Sequence, residues 1–359
     1  MKAACVLLIT LLAVAIPAAH AGWAADPDYI ARQSLPFFKD KSPEQIAPYL
    51  CHHNGLPYQA AVLALAAHGE RALPLIEELM ADTHPWIRAG ALDTLGEIHK
   101  HEGKEERVLT PQLSKAVGLA ARLLDDPHPA VQEALGGFVG KLRVETPQTR
   151  KMVLKMAASS DPGVRHRALN MGRHWLEHPE TVVRIGMLVS AAPKGNTPGH
   201  WNLAHLLVQR YKDEPVSRKA IPTMAAVLRH KANTRPYRGF FSDGAQFRAM
   251  EVMDSHWSKE VEAIPDVVPG LCRSYVRVPY HKYPGWIKTR ELAWKLLGRC
   301  TRASVPAIRA TIAEEKKWLA DVSDLLLQTT TETKPEDART RAKELLARLE
   351  KLATGLQAR

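Results

Sequence analysis

A short apolar phrase with proline in its third position recurs along the chain. It stands as "ALPLIEELM" at 72–80, "AIPTMAAVL" at 220–228, "AIPDVVPGL" at 263–271 and "SVPAIRATI" at 304–312. Proline is tolerated in the first turn of an α-helix, because its missing N–H would have no partner there and its fixed φ suits the helix. Each phrase therefore predicts a helix start. The steps of 43 residues from Pro222 to Pro265 and 41 from Pro265 to Pro306 predict a repeat of helix pairs.

A second pattern follows the first. It appears as "ADTHPWIRAGALDTLGEI" (81–98), "DDPHPAVQEALGGFVGKL" (125–142), "SDPGVRHRALNMGRHWL" (160–176) and "TRELAWKLLGRC" (289–300). Apolar residues at offsets of 4, 8 and 11 form one face of a helix. One polar side chain recurs beside that face, and we call its place the frame position; it holds Arg88, Gln132, Arg165, Arg248 and Arg290.

This second pattern, D-P-x-x-x-V-R-x-x-A-x-x-x-L-G-x-I, resembles the second helix of HEAT repeats, especially the phycobilisome-lyase-like bacterial subclass, and the proline phrase resembles the first helix. The resemblance is good over 71–177 and 262–300 and weaker elsewhere. It implies an all-α fold, a right-handed α-solenoid, with isolated helical hairpins as the alternative. In such families the frame arginines often bridge to an aspartate of a neighbouring repeat, and Asp82, Asp126 and Asp161 are available.

The patterns predict about seven helix pairs after a lead-in over 22–42. They lie at 43–68, 71–101, 110–144, 147–177, 179–212, 218–258 and 262–300, so the array spans 43–300. Residues 301–359 carry mixed charges throughout and predict a capping hairpin with helices at 304–329 and 335–357. A terminal repeat needs such a polar outer face because it has no further neighbour.

Residues 1–21 predict a secretory signal peptide. Lys2 precedes the apolar run "AACVLLITLLAVAIP", and "AHA" at Ala19–Ala21 has the small-x-small form of a cleavage site. An N-terminal anchor is the alternative. Cleavage would remove Lys2 and no acid, which changes the net charge from +11 to +10. We therefore expect a basic protein in the periplasm or outside the cell, where its partners are acidic proteins or anionic glycans and envelope polymers.

The sequence predicts no cofactor, no metal and no disulfide. It contains no GxSxG, HExxH or Walker motif. His200 and His205 are five residues apart, which does not suit two ligands on one helix, and we expect His99 and His101 to be solvated at a helix end. Cys272 and Cys300 are expected about 12 Å apart, with Cys300 beside the start of the pair's first helix near Ile264.

Three consecutive helix pairs have a lengthened connection between their first and second helices. These connections, 192–200, 230–244 and 277–286, should lie side by side in a repeat array, and we call them the loop edge. Nine of the 22 aromatic residues lie between Tyr237 and Trp286, interleaved with basic residues. Such a mixture can bind anions and planar groups, or it can pack the loops locally. The predicted contacts are Arg235, Tyr237, Arg238, Tyr280, Lys282, Tyr283 and Trp286.

These observations favour a non-catalytic exported binding scaffold. It would hold a protein or an anionic polymer or glycan through its groove and its basic, aromatic loop edge. The alternative is a HEAT-type enzyme or a nucleic-acid-binding protein, which becomes the better interpretation if the signal peptide is misidentified. A passive structural component of an envelope assembly is a third possibility.

Overall fold

The chain folds into α-helices and short 3₁₀ turns. The computed structural model describes residues 35–51, 55–100, 109–192, 198–229, 242–277, 284–322 and 334–359, and these ranges contain no β-strand. The predicted all-α class is therefore confirmed. Within the same ranges, no helix combines the length and the apolar composition needed to cross a membrane. The predicted signal segment, 1–21, lies outside them.

The chain divides into two compact units, Met1–Ile98 and His99–Arg359. The first contains α1 (Pro43–Ile46), α2 (Leu56–Ala67), α3 (Leu73–Leu79) and α4 (Pro85–Ile98), with 3₁₀ turns at Leu35–Phe38, Ala47–Cys51 and Gly69–Ala72. Ile46 and Leu50 join α2 in its core, and α4 packs against α2. The expected first helix of this unit is short, because the chain tightens to 3₁₀ geometry after Ile46.

The second unit contains fourteen helices in the described ranges. They are α5 (Pro111–Ala121), α6 (Pro129–Leu142), α7 (Pro147–Ala157), α8 (Pro162–His174), α9 (Pro179–Ala191), α10 (Pro198–Arg210), α11 (Pro215–Arg218), α12 (Ile221–Arg229), α13 (Ser242–Ser255), α14 (Lys259–Glu262), α15 (Val267–Arg277), α16 (Pro284–Leu297), α17 (Val305–Asp321) and α18 (Pro335–Ala358).

These helices form two rows. In the first row α5, α7, α9, α12, α15 and α17 each pack against the next, and in the second row α6, α8, α10, α13 and α16 do the same. A continuous apolar core runs between them from α9 to α18, with Met224, Leu271, Leu296 and Ile308 among its members. Two stacked rows are what a helix-pair array requires. The right-handed solenoid stays a prediction.

Proline begins most of the helices, as the pattern predicts. Where threonine or aspartate precedes it, the side chain accepts a hydrogen bond from the backbone N–H three residues on, at 3.2 Å for Thr110, 3.1 Å for Thr146 and 2.9 Å for Asp161. Such caps satisfy N–H groups that have no partner within the helix. The prediction is wrong at 263–271, where Pro265 lies in a turn and α15 begins at Val267.

The frame position shapes the turn between the two helices of a pair. Arg165 donates to the carbonyls of Ser159 and Ser160 at 2.8 and 2.9 Å, and Arg88 donates to those of Asp82 and Thr83 at 2.8 and 3.1 Å. Gln132 reaches the carbonyl of Asp126, six residues back, at 2.8 Å. The position thus needs a long N–H donor that closes the turn, which explains its polar character on an otherwise apolar helix.

Glu262 ties the last pair together. Its Oε1 accepts hydrogen bonds from the N–H and the hydroxyl of Thr301 at 2.7 and 2.8 Å, and also from the Ser304 hydroxyl. Cys300 therefore lies beside the start of the pair's first helix, as its expected register requires. Cys272 and Cys300 are buried free thiols. Burial raises the pKa of both, that of Cys300 to about 12.

The C-terminal residues form a helical hairpin, in which α17 ends at Asp321 and not at the predicted 329. α17 and α18 run antiparallel, with Lys316 pairing with Glu350 at 2.6 Å and Arg309 with Gln357 at 2.5 Å. α18 buries its apolar face, including Leu345 and Leu349, and exposes charged residues on the other. This is the polar outer face that a terminal capping element needs.

Candidate functional site

Equivalent helices of the second row run parallel. The His200 Nε2 lies 3.0 Å from the Pro162 carbonyl near the start of α8 and α10, and Arg210 donates to the Leu176 carbonyl at 3.3 Å beyond their other ends. α10 and α13 are also parallel. His205 Nδ1 lies 3.1 Å from the Ala245 carbonyl, and Arg248, further along α13, donates to Gln209, further along α10, at 3.0 Å.

α13 and α16 continue the pattern. Near the C-terminal ends of both helices, Lys295 and Arg299 each approach Asp254 to 2.8 Å. Parallel helices have their N-terminal ends on the same side, so the starts of α10, α13 and α16, which follow the three lengthened connections, lie along one side of the second unit. The loop-edge prediction requires this placement of the helix ends.

The predicted contact residues lie outside the part of the chain that the structure describes. Arg235, Tyr237 and Arg238 fall in 230–241, and Tyr280, Lys282 and Tyr283 fall in 278–283. Trp286 belongs to α16, but its side chain is not described. The clustering of these seven side chains stays a prediction.

A polar seam of Asn202, His205, Gln209, Arg248 and Glu251 joins α10 to α13. Arg248 donates to Asn202 and Gln209, and Gln209 donates to Glu251. With 230–244 lengthened, Arg248 has no short turn to close and instead reaches the preceding pair. The sequence interpretation missed its partners, although 202, 205 and 209 recur at helical spacing on an apolar helix.

Desolvation governs the charges of the seam. Burial lowers the pKa of His205 to about 4, against the opposing effect of its hydrogen bond to the Ala245 carbonyl. Burial also lowers the pKa of Arg248, although Glu251 acts in the opposite direction. A neutral histidine beside a half-buried arginine can hold two helices together without placing a second positive charge in the interface.

His166 and His200 meet between two helices, and the described ranges contain no cluster that could hold a metal ion. The rings of His166 and His200 meet edge to face at 5.3 Å. No three side chains of histidine, cysteine, aspartate or glutamate in those ranges approach one another closely enough to hold a metal ion. The expectation that His99 is solvated is wrong, since only 8 % of this residue is exposed. His101 lies outside the described residues.

Ser217 and His256 are placed like a nucleophile and its base but cannot act as such. Their Oγ and Nε2 atoms are 2.7 Å apart. However, Ser217 is fully buried, and its hydroxyl also lies 2.8 Å from the Glu214 carbonyl and 3.0 Å from that of Lys212. Nearby Asp213 is paired with Lys212 and Ser255. A nucleophile must reach substrate and a third group must orient the base, so this pair locks the turn before α12.

The comparisons with known proteins add no relative. No family model, no curated protein and no solved structure matches the chain. The HEAT resemblance therefore rests on the repeated residues alone and stays a prediction.

Proposed function

We propose that the mature chain is an exported, non-catalytic binding scaffold of the HEAT-repeat type. Residues 1–21 direct it to the periplasm or the cell exterior, where it holds an acidic protein or an anionic polymer or glycan through its groove and the loop edge. The loop-edge contacts are Arg235, Tyr237, Arg238, Tyr280, Lys282, Tyr283 and Trp286.

The parallel second row is the observation that carries this proposal. Three neighbouring pairs lengthen the same connection, and the starts of the helices that follow those connections share one side of the unit. Stacking does not need the added residues, because the pairs α5–α6 and α7–α8 stack with short turns. Long loops on a repeat scaffold usually carry function.

The composition of the loop edge indicates the charge of the partner. Within the loop edge, 230–244 contains Lys231, Arg235 and Arg238 against the single acid Asp243, and 277–286 contains Arg277 and Lys282 and no acid. Arginine binds carboxylate, sulfate and phosphate groups in bidentate fashion, and aromatic rings hold planar or apolar parts of the same partner.

The test is capture from an envelope extract with the mature protein, followed by affinity measurement on the partner that elutes with salt. Replacing Arg235 and Arg238 with alanine should weaken its binding at least tenfold, which corresponds to about 1.4 kcal/mol. The matched control replaces Lys343 and Lys351, two exposed lysines of α18, and should bind as the wild type does. If the wild type and both variants bind the partner with equal affinity at low and at physiological salt, Arg235 and Arg238 do not contact it.

A DNA duplex serves as the probe for the alternative function. The chain is basic, with a net charge of +11, so non-specific binding at low salt is expected. Affinity for DNA that persists at physiological salt and falls in the Arg235, Arg238 variant would favour a nucleic-acid-binding protein over the envelope scaffold.

A further inference from the structure

One face of α16 exposes large apolar side chains. Ile287 is 43 % and Trp294 is 38 % exposed, and among the described residues only Phe37 and Leu109 are comparable large hydrophobics. Ile287 and Trp294 are seven residues apart, so they lie on one side of the helix about 10 Å from each other. Single exposed hydrophobics are ordinary, whereas two aligned on one helix form a potential contact surface.

Trp294 departs from the repeat. It stands four residues after the frame position, where the other frames hold Leu92, Gly136, Leu169 and Val252, all of them buried. Its ring is nevertheless held in place, because it stacks on the buried Tyr275 with centroids 4.8 Å apart and planes at 25°. A rigid aromatic side chain of this kind is a typical anchor of a protein interface.

Charged residues accompany the apolar pair. The exposed residues of α16 and of the turn that follows it, which we call the α16 stripe, are Ile287, Lys288, Glu291, Trp294, Lys295, Gly298 and Arg299. Lys295 and Arg299 share Asp254 at 2.8 Å. Three cations therefore face two carboxylates, and the stripe keeps a positive charge, with Lys288 one residue from Ile287 and Lys295 one residue from Trp294.

We propose that the α16 stripe docks an acidic amphipathic helix of a partner protein. Apolar side chains one heptad apart on that helix would contact Ile287 and Trp294, and its carboxylates would lie against Lys288. A glycan fits less well, since the stripe offers no hydroxyl or amide side chain and Tyr275 covers one side of the indole. Because α16 has 14 residues, about 21 Å of helix, the interface is small and the affinity modest.

The test uses two labelled synthetic helices with the same apolar residues at i and i+7. One carries glutamate beside them and the other carries lysine, and dextran sulfate is the anionic polymer for comparison. Fluorescence anisotropy with the mature protein should show binding of the acidic helix and not of the basic helix, with a Kd on the order of micromolar. Ile287→Ser and Lys288→Glu should each weaken it about tenfold. Leu109→Ser, which removes an exposed leucine elsewhere, should have no effect.

The outcomes separate this surface from the loop edge. The Arg235, Arg238 double variant should bind the acidic helix normally, and the Ile287 variant should bind dextran sulfate normally. The proposal is overturned if the acidic helix binds no better than the basic one, if the stripe variants bind it like the wild type, or if the loop-edge variant alone loses it. Loss of dextran sulfate binding in the Ile287 variant would also overturn the proposal, because it would show that the α16 stripe binds an anionic polymer.

Discussion

Polar side chains hold one helix to the next in the second unit, and two of them, His200 and His205, are buried. His200, His205 and Arg210 each reach a backbone carbonyl of a neighbouring second-row helix. Such bonds matter because a buried carbonyl without a donor costs about 1–3 kcal/mol. At the residue scale, the molecule is therefore most sensitive where one of these donors is removed or gains a charge.

His205 should make stability depend on pH. Its pKa is about 4 in the folded protein, against an ordinary value of 6.5 in the unfolded chain. Between these pH values the unfolded chain binds more protons than the folded protein does. The contribution of neutral His205 to stability is therefore complete above pH 6.5 and is lost as the pH falls towards 4. The total is on the order of 3 kcal/mol. Urea titrations at pH values from 7 to 4 should show that the free energy of unfolding falls less steeply with decreasing pH in His205→Asn than in the wild type, whereas His174→Asn, at an exposed site, should keep the wild-type slope. Equal slopes in all three would contradict the assignment.

Arg165 should be replaceable by glutamine but not by alanine. It is almost completely buried, and alanine would leave the Ser159 and Ser160 carbonyls without their donor. Arg165→Ala should lower the free energy of unfolding by about 2–4 kcal/mol. Gln132 closes the corresponding turn of α6 with an amide, so Arg165→Gln should lose about half as much. Chemical denaturation of both variants measures the two losses of unfolding free energy. Equal losses would show that the turn needs the positive charge of Arg165 and not only its N–H donor.

At the scale of the element, the prolines and caps predict helix starts because they act within one turn. Helix ends and irregular starts depend on packing, which a local pattern does not contain. For this reason α15 begins at Val267 and not at Pro265, and the short 3₁₀ turn after α1 was not predicted. The same distinction between local and packed positions separates two helical glycines.

Gly270 and Gly118 should respond in opposite directions to alanine. A Cβ at Gly270 in α15 would lie 2.3 Å from the Cβ of Leu228 in α12, whereas one at Gly118 in α5 would meet nothing within 4 Å. Gly270→Ala should therefore lower the free energy of unfolding by about 1–3 kcal/mol, and Gly118→Ala should raise it by about 0.5–1 kcal/mol through helix propensity. Thermal or urea unfolding distinguishes them. A neutral or stabilising Gly270→Ala would mean that α12 and α15 are further apart than described.

For the whole molecule, the repeated phrases predict most of the helix pairs and the capping hairpin, because each pair is specified by residues near one another in sequence. The polar seam was not predicted, since Arg248 and Asn202 meet only after two pairs have stacked. The exposure of Trp294 was missed for a related reason. Its place in the frame indicates a core residue, and only the packing of α16 leaves it at the surface.

The central claim is that the three lengthened connections lie side by side, and distances between them test it most directly. Spin labels at Asn196→Cys, Asn233→Cys and His281→Cys, in pairs, would be measured by double electron–electron resonance with Cys51 replaced by serine. Cys272 and Cys300 are buried and should remain unlabelled. Since packed helices are about 8–10 Å apart, both consecutive pairs should give similar distances below about 25 Å, and 196 to 281 should be about 8–10 Å longer. A consecutive pair beyond about 40 Å, several helix spacings, would show that the connections do not share an edge.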